Sequence, residues 1–170
     1  MPSATPRTTT PRPATLPSRY RSKTLAAWLA LLLGALGVHR LYLNGPSDRL
    51  AWCYPVATLP GLVGVQRMRA LGQDDHLAWV LIPLLGLMIS IGMLSAIVHA
   101  LTPDAKWDAR HNPGHQGRST GWGAVAASIV ALMVGGAVLM GTIAFSGQRF
   151  FEWQLQTEAA GRAARVAPGP

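Results

Sequence analysis

Charge is scarce in this chain. Asp, Glu, Lys and Arg together make up 13% of its 170 residues, about half the share found in water-soluble domains. The few charges cluster between long apolar stretches and avoid their interiors, and 49% of the residues are apolar. This distribution excludes an ordinary soluble domain and points to an integral membrane protein. Acidic residues are scarcer still, seven against fifteen Lys and Arg, for a net charge of +8. Nucleic-acid binders share that imbalance. Here, however, the basic residues lie in tails and short loops beside apolar runs, as topology signals do, so no nucleic-acid partner is expected. A single cysteine, Cys53, excludes an intramolecular disulfide and a cysteine-based zinc site.

Catalytic signatures are missing too. Gly-x-Ser-x-Gly, His-Glu-x-x-His and the phosphate-binding glycine loop are absent, and Ser90, Ser95 and Ser128 lie in apolar runs with no base beside them. No enzyme activity is expected, and no catalytic residue, cofactor or metal is assigned. Asp74-Asp75-His76 stands beside an apolar run and not inside one; ion and proton paths need ionisable groups at mid-membrane. His99, Asp104, Asp108, His111 and His115 are metal-ligand types, but they show no zinc spacing, and Pro113 keeps His111 and His115 from sharing a helical turn.

What remains is a series of apolar runs. Residues 1–21 form a Pro- and Thr-rich tail, with few apolar residues to offset ordering entropy, and disorder is expected there. Arg19, Tyr20, Arg21 and Lys23 make a basic, aromatic collar. With no cleavage-site pattern following it, the first run is expected to stay as an anchor. Residues 24–43 are read as one helix, long enough at about 30 Å to cross, with Ala30, Gly34 and Gly37 as a slim packing side. Asn44 to Asp48 is a dense turn signal. A second helix, about 50–66, contains Pro55 and Pro60 and ends at Arg67 and Arg69. Helices at about 77–101 and 121–145 follow, separated by a polar loop from Thr102 to Thr120. Ala127, Ala131 and Gly135 form a small-residue face on the last helix. An aromatic interfacial extension runs from Gln148 to Leu155, and residues 159–170 are expected to fray.

The expected fold is therefore all-α, four transmembrane helices as two hairpins, with one domain at 22–71 and a second hairpin at 72–158. With four crossings, the amino tail, the loop after the second helix and the carboxyl tail share one side. These hold ten of the fifteen Lys and Arg, which predicts that both termini are cytoplasmic. Arg40 would then approach the Thr102–Thr120 loop and pair with Asp104 or Asp108. The other reading of His39 and Arg40 is a polar site for a partner helix, a lipid headgroup or a small anion.

The stretch Leu-Leu-Leu-Gly-Ala-Leu-Gly-Val-His-Arg-Leu-Tyr-Leu resembles the TM-two domain family, in which a Gly-x-His-Arg-Phe-Tyr-Leu-Gly signature ends the first of two apolar helices and a Gly-x-x-Gly stretch lies in the second. Gly37, His39, Arg40, Tyr42, Leu43, Gly61 and Gly64 match that pattern; Leu41 replaces Phe, and Asn44 replaces Gly. The resemblance covers about Ser22 to Leu71 and implies a membrane module without established activity, often attached in bacteria to other segments. The expected location is a membrane, the bacterial inner membrane. Eukaryotic members carry an Asp-Arg-Phe version of the turn, and separately imply that the turn faces the cytoplasm, opposite to the charge count, which is followed here. The expected role is a membrane interaction or scaffolding module whose partners are the lipid bilayer and other membrane helices, its own copies included. The alternative is a small transporter or channel subunit.

Overall fold

The computed structural model describes residues 20–114 and 119–166; the expected disorder of residues 1–19 and the position of His115 lie outside the described residues. Among the described residues there are helices and no strand: α1 (Lys23–Leu33), a 3₁₀ turn (Gly34–Leu36), α2 (Val38–Asn44), α3 (Arg49–Leu71), α4 (His76–Leu101), α5 (Asp104–His111) and α6 (Trp122–Val166). The all-α expectation holds.

The first correction concerns residues 24–43, which are not one helix. Gly37 takes φ 73°, the left-handed conformation that ends helices, and its N–H bonds back to the Gly34 carbonyl at 3.0 Å. The chain then reverses. Tyr42 Oη accepts a hydrogen bond from the Ser22 N–H at 2.9 Å, and Leu43 packs with Ala26 and Trp107. The end of α2 thus returns to the start of α1, and residues 23–44 form a helical hairpin that enters and leaves at one end of the bundle.

Neighbouring helices give its depth. Running antiparallel to α4, α1 sets Ala27 by Ala100, Ala30 by Ala96 and Gly34 against Gly92. Gly92 lies near the middle of α4, so the hairpin tip reaches about halfway. A broken helix leaves backbone groups unpaired, which apolar surroundings tolerate only where protein covers them. The Thr58 hydroxyl of α3 supplies one partner, donating to the Ala35 carbonyl. A Cβ on Gly37 would lie 2.7 Å from the Ala51 carbonyl oxygen. That carbonyl has lost its usual helical partner, because Pro55 four residues later has no N–H.

α3, α4 and α6 run the full length of the bundle. Gly61 meets Leu85 and Gly64 meets Leu81 across α3 and α4, each approach too close for a side chain. α6 is antiparallel to α4, from Ala124 beside Ala100 to Gly86 on Thr142 and Arg149 over the Trp79 ring. Two of these helices, α4 and α6, are long and apolar enough to cross a membrane, where four such helices were expected. The two prolines and the polar final turns with Arg67 and Arg69 dilute α3.

Several boundaries move as well. α3 continues past residue 66 to Leu71, where Arg67 reaches Asp75, the N-cap of α4, with bonds of 2.8 and 3.0 Å. The polar loop after α4 contains α5. α6 remains helical to Val166, where fraying was expected from 159.

The ends of the chain also differ from expectation. Tyr20 to Lys23 sit with the Asn44 turn and α5 at one end of the bundle, called here the His39 end. Arg149 bonds Gln73 at the opposite end, and α6 projects beyond it. With the hairpin turning back, three helices run the length of the bundle, and the two described ends lie at its opposite ends.

The packing is inverted relative to a water-soluble bundle. Among the described residues, ten of the thirteen buried apolar side chains are alanine, whereas Leu32, Val56, Val80, Leu132, Met133 and Met140 each expose 66% or more of their surface. Small residues bring backbones close, and the large apolar side chains point outward.

Candidate functional site at the His39 end

Three residues of the Gly37–Leu43 signature close the hairpin. Gly37 makes the turn, and Tyr42 and Leu43 tie α2 back to α1. His39, 2% exposed, stands edge-on to Tyr54 at 5.7 Å and 5.6 Å from His99. Arg40 bonds Asp48 at 3.0 Å, and Asp48 also accepts from Asn44 at 2.7 Å. The Asn44 bond and the guanidinium hold the Asp48 carboxyl below its ordinary range. Arg40 therefore pairs with neither Asp104 nor Asp108. Asp48, at the start of α3 and eight residues away, is the carboxylate that the hairpin's return brings within reach.

Asp104 belongs instead to Lys23. The Lys23 ammonium, almost fully buried, donates to Asp104 at 2.6 Å and to the Thr102 carbonyl at 2.8 Å. Thr120 adds its amide and hydroxyl to the same carboxylate. Asp108 is buried and accepts from Asn112 at 2.9 Å. Asn112 also holds both backbone groups of Arg21, accepting from its N–H at 2.7 Å and donating to its carbonyl at 3.1 Å. Trp107 Nε1 donates to that same carbonyl at 2.9 Å. Thus α5 clamps the chain entering α1.

From the sequence Lys23 is read only as part of the basic collar, and Trp107, Asn112 and Thr58 have no reading. The Lys23 bond, with help from Thr120, holds the Asp104 carboxyl down at about 2, against an ordinary 3.8. A carboxylate depressed by folding stabilises the fold above its unfolded value and loses that contribution as pH falls through its folded value. Asp104→Asn is expected to lower Tm by several degrees at pH 7. The gap to wild type should shrink below pH 3.8 and close near pH 2, as read by thermal unfolding in detergent. A gap that stayed constant down to pH 2 would show that the carboxylate charge is not what Lys23 holds.

His39, His99, Trp107 and His111 form a continuous line of ring contacts, with centroids 4.4 to 5.7 Å apart. Burial pushes His111 below its usual range, with Arg110 and Arg21 adding to the effect. Among the described residues no group of three metal-ligating side chains comes together. The rings instead wall a cavity of about 460 Å³ between α2, the end of α4 and α5, into which Arg40, Lys106 and Arg110 also face.

The segment that builds this hairpin is also the one that a family model matches. Residues 19–68 match the family model of the TM2 domain. No curated protein and no solved structure matches the chain. The TM2 match ends within α3, so α4 to α6 lie outside it. It includes the hairpin, the Asn44 turn and Gly61 and Gly64, the glycines through which the TM2 segment meets α4. Together with the two long apolar helices it supports a membrane location. On α6, Ala127 and Ala131 are fully buried and Gly135 lies against Met93. The chain's own α1 and α4 therefore pack on this small-residue face.

Proposed function

We propose that this is an integral membrane module, three crossing helices and one re-entrant TM2 hairpin, that acts in membrane interaction or scaffolding and not as an enzyme. The observation that carries this reading is the inverted packing, an alanine core under a surface of Leu, Val, Ile and Met. Such a surface is unfavourable in water and ordinary in lipid. α3 is the weakest crossing by composition, and its packing against α4 supports it as one. Phe150, Phe151 and Trp153, all exposed where α6 leaves the bundle, suit a headgroup layer.

With three crossings, the amino tail, the Asn44 turn and the α5 loop share a side that holds ten of the fifteen Lys and Arg. Positive-inside makes that side cytoplasmic and the α6 projection non-cytoplasmic. The turn then faces the cytoplasm, as the eukaryotic members of the family imply. A bacterial inner membrane is the compartment this reading favours.

The full chain is expected to stay in the membrane pellet through alkaline carbonate washing and to give a defined crosslinked species, with a second copy or another membrane protein, in native membranes. Release by carbonate would overturn the membrane reading. Solute or ion flux in reconstituted vesicles, abolished by Arg40→Ala, would replace scaffolding with transport.

A further inference from the structure

The cavity at the His39 end lies beside the closed hairpin, and its chemistry is one-sided. Arg40, Lys106 and Arg110 line it, and no carboxylate does. Asp48 offsets Arg40 from outside the lining, whereas Lys106 and Arg110 have no ion pair among the described residues. The nearest other acids are committed elsewhere, Asp104 to Lys23 and Asp108 to Asn112. On the inner wall His39 is 2% exposed, and its Nδ1 lacks any hydrogen-bond partner. A buried polar atom without a partner is uncommon and calls for an explanation.

The floor of the cavity is different. Leu94 and Val98 line it, 60% and 55% exposed on α4. Leu94 also lines a second cavity of about 360 Å³, between α4 and α6, walled by Leu87, Ile91, Leu132 and Leu139. The basic chamber and the apolar groove therefore adjoin at Leu94, and the groove runs along α4 away from the charged end.

We infer that this pair of cavities binds an anionic phospholipid, its headgroup phosphate in the chamber beside Arg40, Lys106 and Arg110 and an acyl chain in the α4–α6 groove. The inference rests on the membrane reading above and adds a ligand to it. Charge complementarity selects the headgroup, and the adjoining groove separates a lipid from a soluble phosphate.

The test uses the full chain purified from membranes in detergent, with thermal unfolding followed on addition of phosphatidylglycerol, phosphatidylcholine of the same chains, or inorganic phosphate. Phosphatidylglycerol is expected to raise Tm, while the other two leave it unchanged. Lys106→Gln with Arg110→Gln changes two exposed side chains and is expected to weaken phosphatidylglycerol binding roughly thirtyfold. Arg67→Gln with Arg69→Gln at the other end should not weaken it. Native mass spectrometry of bound lipid on the single Lys106→Gln variant supplies a readout should the double variant lose stability; there the phosphatidylglycerol-bound fraction should fall. Equal shifts with both lipids, or unchanged phosphatidylglycerol binding in the Lys106 and Arg110 variants, would overturn the proposal. Stabilisation by inorganic phosphate equal to that by lipid would make it a soluble-anion site and overturn the lipid assignment. Purification without detergent would instead remove the membrane reading itself, so the two failures are distinguishable.

Discussion

Gly37→Val is expected to collapse the re-entrant hairpin, at a cost of about 3 kcal/mol or more. Two effects combine at this residue. Its φ of 73° is strained for any side chain and worst for a β-branched one. A Cβ would also lie 2.7 Å from the Ala51 carbonyl oxygen and 3.0 Å from Tyr54. Neither neighbour can retreat easily, since Ala51 is in the backbone of α3 and Tyr54 packs on His39. The comparison is Gly136→Ala, which meets open space within a helix and should change stability by no more than about 0.5 kcal/mol. Thermal unfolding in detergent reads both. If Gly37→Val melted within a degree of wild type, the left-handed turn would not be part of the native fold.

Fusions or single-cysteine labels after Gly114 and after Val166 are expected to report opposite sides of the membrane, the first cytoplasmic and the second not. A site in the Asn44 turn should agree with Gly114, and one at Gly72 with the carboxyl end. Cys53 is exposed and must first be replaced by serine for labelling. The effect is all-or-none, because a chain crosses either an odd or an even number of times. An even number would put Gly114 and the carboxyl end on opposite sides as well, so the deciding site is the amino end. Labels before Lys23 should match Gly114 and oppose Val166. Amino and carboxyl ends on one side would mean that the hairpin crosses, and the three-crossing fold would fall.

The charge count fits two arrangements equally well. Ten of the fifteen Lys and Arg collect on one side in either arrangement. In the four-crossing arrangement they include the Arg67, Arg69 and carboxyl-tail charges. In the three-crossing arrangement they include Arg40, Arg49 and the basic residues from Thr102 to Thr120. The bias alone does not choose between them, because each split follows from the number of crossings assumed, four if the first run crosses and three if it turns back at Gly37. Gly34 and Gly37 looked like a slim face for packing, and Gly34 is one, against Gly92. Gly37 has the same lack of a side chain and uses it for backbone conformation.

The Arg40 pairing failed for a related reason. Once the hairpin turns, the nearest acid is the Asp48 cap of α3, while α5 folds Asp104 onto Lys23. Which carboxylate meets which cation depends on the path of the backbone, since Coulomb attraction between charges in a polar layer is too short-ranged to direct that path.

By itself the sequence determined that this chain is all-helical and that its apolar runs suit a membrane, because composition and run length answer to solvent and need no knowledge of neighbours. It also marked the TM2 signature and the small residues of α6. Only the tertiary structure decided that the first run turns back, that Ala127, Ala131 and Gly135 are filled from within, and that Arg40, Lys106 and Arg110 share a cavity. Each of these depends on residues far apart in the chain meeting across helices, as Thr58 meets Ala35 and Asn112 meets Arg21. Long-range partners of that kind leave no periodic trace in a single sequence.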